Sequence, residues 1–130
     1  AQKYVAYVFT EKQGYSKFGS YVGNGSTDGV FVYTGFKPAY IMIKYTSATL
    51  TNWEIRDNKR SPFNDANGRR LFADTSGSES VNTEAIDLLS NGFKIRSAGA
   101  GHNTSGGTHI YAAFAESPFC SSKGVPTTAR

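Results

Sequence analysis

The chain has 130 residues, with 14% aromatic residues, 18% charged residues and 14 glycines, a composition that favours one β-rich domain over a helical or disordered chain. The formal net charge of +4 is mild, and no stretch approaches the roughly 18 apolar residues of a membrane helix. We therefore expect neither nucleic-acid binding nor membrane insertion. The single cysteine, Cys120, excludes an intramolecular disulfide, so the fold has to rest on packing.

The first third of the chain predicts antiparallel strands. Four runs of aromatic and β-branched residues are strand-like, namely residues 4–10, 15–22, 30–34 and 39–45. The run at 15–22 is more polar, which favours an edge strand. Asn24-Gly25 and Asp28-Gly29 predict tight reversals, because such turns demand a positive φ that these residue pairs tolerate.

Residues 53–56 read Trp-Glu-Ile-Arg, an alternation that predicts a half-solvated strand. We expect Trp53 and Ile55 to face the core and Glu54 to face solvent, as does nearby Asp57. In that position Trp53 anchors the core, whereas an exposed Trp53 would be able to stack on a sugar ring.

The rest of the chain repeats the pattern of short strands and polar turns. It predicts a loop at 57–68, a short strand at 70–73, a loop at 75–82, a hairpin of residues 85–89 and 92–96, a loop at 97–108, a strand at 108–116 and an irregular tail at 117–130. About eight short strands, with a turn signal roughly every ten residues, predict an all-β fold, an antiparallel and jelly-roll-like β-sandwich.

We assign residues 1–116 to a single β-sandwich module. Within it, residues 5–11 align with residues 110–116 and share a Phe-x-Glu ending. Two generic apolar strands give such a match readily. In the other interpretation, residues 1–11 are the closing strand of a preceding tandem copy, and the chain is a piece of a longer protein.

One cluster of basic residues is a candidate ligand-binding patch. Arginine pairs with phosphate and carboxylate oxygens through two parallel hydrogen bonds, so the patch suits anionic glycans, lipopolysaccharide phosphates or a neighbouring subunit. The alternative is a solvated loop whose arginines pair with Asp57 and Asp65. The cluster consists of Arg56, Lys59, Arg60, Arg69 and Arg70.

No motif in the sequence predicts catalysis, a metal site or a cofactor. His102 and His109 lack the His-x-His spacing or the nearby carboxylates of a metal site on strands. A nucleophile elbow of the form Gly-x-Ser-x-Gly is missing from the sequence. No two carboxylates are paired by the sequence as glycoside hydrolysis requires. We therefore expect a protein that is not an enzyme.

Five segments, in this order along nearly the whole chain, resemble a known module. They are residues 14–25, 32–39, 57–60, 89–96 and 106–119. Together they are similar to the β-sandwich module that recurs, often in tandem, in tail-fibre and tail-fibre-like proteins of marine bacteriophages. That family is described as structural or receptor-binding, and it has no established catalytic residues to carry over.

The resemblance implies a non-enzymatic virion structural protein, located in a tail fibre or on the particle surface, that presents a host-contacting surface. It implies a homotrimer, contacts with other virion proteins and a host surface glycan as a further partner. Variable loops on a rigid sandwich are the expected contact sites, here residues 46–52, 57–68, 75–82 and 97–108.

Two alternatives remain open on the sequence. A capsid-surface decoration protein, which stabilises the shell by lateral contacts, predicts extended, apolar or ordered terminal arms, and residues 117–130 are the segment to inspect. A carbohydrate-processing enzyme would need two carboxylates roughly 5 to 9.5 Å apart in one groove.

Overall fold

A computed structural model describes residues 2–49, 51–60, 68–83 and 85–118, together with residues 121 and 123. Those residues form nine strands and one short helix, α1 (Ala100–Asn103). The strands are β1 (Ser16–Val22), β2 (Phe31–Tyr33), β3 (Pro38–Tyr45), β4 (Glu54–Asp57), β5 (Gly68–Phe72), β6 (Ser80–Asn82), β7 (Ile86–Leu89), β8 (Gly92–Ile95) and β9 (Thr108–Ala115).

The described strands make two antiparallel sheets, which confirms the predicted all-β sandwich. The larger sheet has the order β1-β9-β3-β4-β5-β6, and the smaller one has the order β2-β8-β7. The first strand pairs with the last, and β2 pairs with β8. Such nested pairing is what a rolled-up jelly-roll ribbon produces.

The core lies between the smaller sheet and one part of the larger sheet. Strands β1, β3 and β9 supply its side chains from the larger sheet, and β2 and β8 supply those from the smaller sheet. Strands β4, β5 and β6 contribute none of the described core side chains, so the larger sheet extends beyond the apolar core. The innermost core side chains are Phe36, Ile41, Ile43, Phe93 and Ile95.

Most of the predicted strands are confirmed, and one is wrong. The runs predicted at 15–22, 30–34 and 39–45 are β1, β2 and β3, the hairpin is β7 and β8, and β1 is an edge strand as expected. Residues 4–10 are described but belong to no strand. A strand requires a hydrogen-bonding neighbour, and no described strand pairs with this segment.

Several predicted loops contain short elements. Strand β6 lies inside the loop predicted at 75–82, and α1 lies inside the loop predicted at 97–108. Both are only three or four residues long, too short for a periodic signal. Residues 61–67 of the loop predicted at 57–68 lie outside the described residues, as do Cys120 and most of the predicted tail.

The two turn dipeptides do not connect a hairpin, as the sequence suggested, because β1 and β2 belong to different sheets. Gly25 has the expected positive φ of 66°, whereas Gly29 lies outside the left-handed region. Gly29 is required for space instead, since a Cβ there would lie 2.6 Å from the carbonyl oxygen of Ile95. Residues 23–30 therefore cross from one sheet to the other.

The buried side chain of Asn103 ties this crossover to α1. Its Oδ1 accepts the backbone N–H of Asn24 at 3.0 Å, and its Nδ2 donates to the carbonyl oxygens of Ser26 and Ser97, each at 2.8 Å. One amide thus satisfies three backbone groups from two segments that are distant in sequence.

The predicted position of β4 is confirmed, but the prediction of which of its side chains face the core is wrong. Glu54 and Arg56 are each 4% exposed, whereas Trp53 is 36% exposed. The register explains the inversion: Ile43 pairs with Glu54 and Ile41 pairs with Arg56, and directly paired residues share one face of a sheet. Because both isoleucines face the interior, both charged residues do as well.

Candidate functional site

The inward face of β4 and β5 carries a buried ionic cluster in place of apolar side chains. Glu54 Oε1 accepts a hydrogen bond from Arg56 Nε at 2.6 Å, and Glu54 Oε2 accepts one from Arg70 NH1 at 3.1 Å. His102 Nδ1 of α1 lies 3.7 Å from Glu54 Oε2. We call these four residues the Glu54 cluster. A buried charge is tolerated only when it is paired in this way.

The cluster keeps the Glu54 carboxylate ionised. Desolvation by burial raises its pKa, but the neighbouring His102 and Arg56 outweigh that effect and lower the pKa to about 2. Glu54 is therefore a carboxylate, not a carboxylic acid, across the physiological pH range. Both of its oxygens already accept hydrogen bonds within the cluster, and it has no proton to give.

His102 also connects the cluster to Ser97. The serine Oγ lies 2.8 Å from His102 Nε2, so Ser97, His102 and Glu54 follow the order of a serine–histidine–acid relay. A nucleophile has to be reached by its substrate, yet Ser97 is 7% exposed and His102 is completely buried. We interpret this arrangement as structural: a hydrogen bond between Ser97 and His102, with His102 close to Glu54, holds α1 near β4.

A groove of about 390 Å³ opens above the Glu54 cluster. Its floor is the inward face of β4 and β5, one wall is formed by Ala48, Thr51 and Asn52, and the other wall is α1 at Ala100 and Gly101. It contains a carboxylate, a guanidinium, an amide, a hydroxyl and two aromatic rings. The side chains that supply them are Glu54, Arg70, Asn52, Thr51, Tyr45 and Phe72.

Contacts among the lining residues, and one with His109, hold the groove in shape. The Tyr45 ring stacks on the His109 ring with centroids 4.7 Å apart, and the Arg70 guanidinium lies 4.9 Å from the centroid of the Phe72 ring. Thr51 Oγ1 donates to the carbonyl oxygen of Tyr45 at 3.0 Å. The site is therefore shaped before any ligand arrives, which reduces the entropic cost of binding.

The five residues of the predicted basic patch do not share one surface. Arg56 and Arg70 face inward and pair with Glu54. Arg60 and Arg69 both pair with Glu79, at 3.7 Å and 2.8 Å. Lys59 is exposed.

The pairing of the basic residues only partly follows the expected local aspartates. Arg60 also pairs with Asp57, at 3.2 Å, but the main carboxylates are Glu54 and Glu79, which the sequence did not suggest. Asp65 lies outside the described residues. Ligand binding by these five residues stays a prediction, and the structure brings only Arg70 into the groove.

Both histidines are buried and hydrogen-bonded. His109 Nδ1 lies 3.0 Å from the carbonyl oxygen of Gly107 and so donates to it, and the ring is stacked between Tyr21 and Tyr45. Burial lowers the pKa of His109 and favours its neutral form. Within the described ranges, no three His, Cys, Asp or Glu side chains are grouped as a metal site needs.

Sequence reasoning missed Glu54, Tyr45, Phe72 and α1 as parts of a site. One signal was available: Glu54 and Arg56 are two residues apart on a strand, so they had to lie on the same face, within ion-pairing reach. Which face that was depended on the register with β3. The approach of α1 to β4 has no signature in the sequence.

The fold and the groove define the chain as an all-β sandwich domain with a polar site at one end of its larger sheet. The sequence matches the domain family of unknown function DUF7483 over residues 1–118, and the chain therefore belongs to that family. No curated protein and no solved structure is significantly similar to it. In the part of the chain that the structure describes, no helix is long and apolar enough to cross a membrane.

Proposed function

We propose that the chain is a non-enzymatic structural module of a bacteriophage virion, part of a tail fibre or a related appendage, that presents a host-contacting surface. The resemblance of its motifs to tail-fibre modules supports this origin. The groove above the Glu54 cluster supports the contact role. Two of the segments expected to contact the host, 46–52 and 97–108, form its opposite walls.

The chemistry of the groove fits a saccharide. A sugar ring offers hydroxyl groups on its edge and C–H groups on its face. The groove offers the Asn52 amide as donor and acceptor and the rings of Tyr45 and Phe72 as apolar walls. Among the described residues that line it, Glu54 is the only carboxylate, so the two-acid arrangement of a glycoside hydrolase has no support there.

The test is binding of the purified chain to an array of bacterial lipopolysaccharide and capsular glycans. Gly101→Leu should block the groove, since a Cβ at Gly101 meets only Glu54 Oε2, at 3.9 Å, and the larger side chain extends above it. Gly77→Leu is the matched control, because a Cβ there has open space apart from Thr75 Oγ1 at 3.6 Å. We expect Gly101→Leu to weaken glycan binding at least about tenfold and Gly77→Leu to leave it unchanged.

Two results would contradict the proposal. One is a wild-type chain that is folded by circular dichroism and binds none of the glycans. The other is a Gly101→Leu variant that binds as tightly as the wild type, which would move the contact surface away from the groove. Selective loss of phosphorylated glycans in Arg60→Ala and Arg69→Ala variants would place it on the basic residues instead.

A capsid-surface decoration protein is the second candidate, and one observation favours it. Such a protein stabilises a shell through lateral contacts of its arms, and the structure shows exposed apolar side chains at residues 4–9, which belong to no strand. The arm was expected at residues 117–130, most of which lie outside the described residues.

A further inference from the structure

The outward face of the larger sheet has an apolar region on β1, β9, β3 and β4, and no described strand or helix forms a second layer over it. Side chains on this face alternate with the core residues of the same strands. They include Phe18 of β1, Met42 of β3, Ile55 of β4, and Ile110, Ala112 and Phe114 of β9. The register also places Ser20, Lys44 and Asp57 on this face. We call this surface the outer face. In most antiparallel sheets with one buried face, the opposite face is polar, so the composition here needs a cause.

The chain also carries an exposed apolar segment. Residues 2–9, which we call the leading segment, belong to no strand or helix, and Tyr4, Val5, Tyr7 and Val8 are between 81% and 90% exposed. Apolar side chains occur at consecutive positions, a pattern typical of a strand that is covered on both faces. Exposed apolar surfaces of this kind usually mark an interface.

One residue shows that the leading segment fits the outer face. The ring of Phe9, at the end of the segment, lies on the outer face of its own chain, 5.6 Å from the ring of Phe114 and 6.1 Å from that of Phe18. These rings, with Tyr40, Met42 and Ala112, surround an apolar depression of about 400 Å³. The large apolar side chains before Phe9 are exposed, and Ile110 of the outer face is 37% exposed.

The dimensions of the two features match. Eight extended residues span about 26 Å at about 3.3 Å each. Six strands spaced about 4.8 Å apart make a sheet about 24 Å wide. A leading segment that arrives from another chain can therefore cross the whole outer face, whereas Phe9 and the turn after it fix the segment of the same chain at the β1 edge.

We propose that the leading segment of one copy packs on the outer face of a second copy of this chain. The contact is heterologous, with a segment from one partner and a face from the other, so it generates a closed ring or an open array. This proposal is independent of the groove and of the host-contact role, because the groove lies on the inward side of the same sheet.

The test uses one variant for each side of the contact. Self-association of the full chain is measured by sedimentation velocity over a range of concentrations. Tyr7→Ser with Val8→Ser alters only the leading segment, and Ile110→Lys alters only the outer face, where Ile110 is 37% exposed. Each variant should weaken self-association at least about tenfold. Tyr33→Ser, which removes a 64% exposed ring from the smaller sheet, is the control and should not weaken it.

Mixing the two variants gives the decisive result. The segment variant keeps an intact face and the face variant keeps an intact segment, so an equimolar mixture should form mixed dimers at concentrations where each variant alone is monomeric. A wild-type chain that remains monomeric at every concentration would overturn the proposal. So would a mixture that fails to associate, or a monomer whose leading segment resists proteolysis, because the segment would then be bound within its own chain.

Discussion

Glu54 is the residue on which the polar end of the molecule depends. Its two oxygens are shared between Arg56, Arg70 and His102, which come from β4, β5 and α1. Removing the carboxylate therefore leaves two arginines near one another without their buried counter-charge. The cost of breaking such a pair is larger than the net stabilisation that the pair provides.

We expect Glu54→Gln to lower the free energy of unfolding by about 3 kcal/mol or more at pH 7. The pKa of Glu54 is lowered from 4.5 to about 2 in the folded chain, so its stabilising contribution is complete above pH 4.5 and is lost as the pH falls towards 2. This shift corresponds to about 3 kcal/mol. Urea unfolding at pH 7, 4.5, 3 and 2 is the measurement. The free energy of unfolding should fall less between pH 4.5 and 2 in Glu54→Gln than in the wild type.

His109 provides an internal check on this comparison. Its pKa is lowered by burial, so the unfolded chain takes up the proton first and stability falls as the pH drops below about 6.5. The wild type and Glu54→Gln both lose this stability as His109 is protonated. This loss occurs at a higher pH than the loss caused by protonation of Glu54. Equal slopes between pH 4.5 and 2 would show that Glu54 does not titrate as the structure indicates.

The smaller sheet depends on how closely β8 approaches β2. Gly92 pairs with Tyr33, and a Cβ at Gly92 would lie 2.1 Å from the carbonyl oxygen of Val32. No side-chain movement can relieve a contact with backbone, so an added methyl group has to separate the strands.

Gly92→Ala should therefore lower the free energy of unfolding by at least about 2 kcal/mol, as overpacking does in other cores. Gly77→Ala is the matched control, because a Cβ at Gly77 meets nothing closer than 3.6 Å. That control should be neutral, or should gain a few tenths of a kcal/mol from the reduced entropy of the unfolded chain. Chemical denaturation of the two variants gives the comparison, and equal stabilities would mean that β2 and β8 are not packed as described.

Local sequence signals located most strands but could not assign their neighbours. Runs such as β3 and β9 are apolar enough to be recognised alone, and the Asn91-Gly92 pair marked the hairpin of β7 and β8. The facing of β4 was mispredicted because a single alternation, Trp-Glu-Ile-Arg, is compatible with either face. Only pairing with β3 decides between them.

The groove could not be predicted for the same physical reason. Its residues come from β3, β4, β5, α1 and the segment between β3 and β4. None of these residues lies in a recognisable sequence motif. Residues 4–10 show the reverse case. Their local pattern is strongly strand-like, yet no described strand pairs with them.

The two sheets share one core, so we expect the sandwich to unfold as a unit. Phe93 of the smaller sheet is completely buried, and its ring lies 5.4 Å from that of Tyr111 and 6.2 Å from that of Tyr21, both in the larger sheet. Destabilising the smaller sheet at this position must therefore destabilise the larger one, unless the sheets can separate.

Phe93→Ala should lower the free energy of unfolding by about 3–5 kcal/mol. The sole tryptophan, Trp53, is next to β4 of the larger sheet, so its fluorescence reports on the sheet that does not contain the substitution. We expect the urea midpoints from Trp53 fluorescence and from far-ultraviolet circular dichroism to move together, whereas Tyr33→Ala, at an exposed position of the smaller sheet, moves neither. A Trp53 transition that stays at the wild-type midpoint while the circular dichroism signal shifts would show two independent sheets and not one domain.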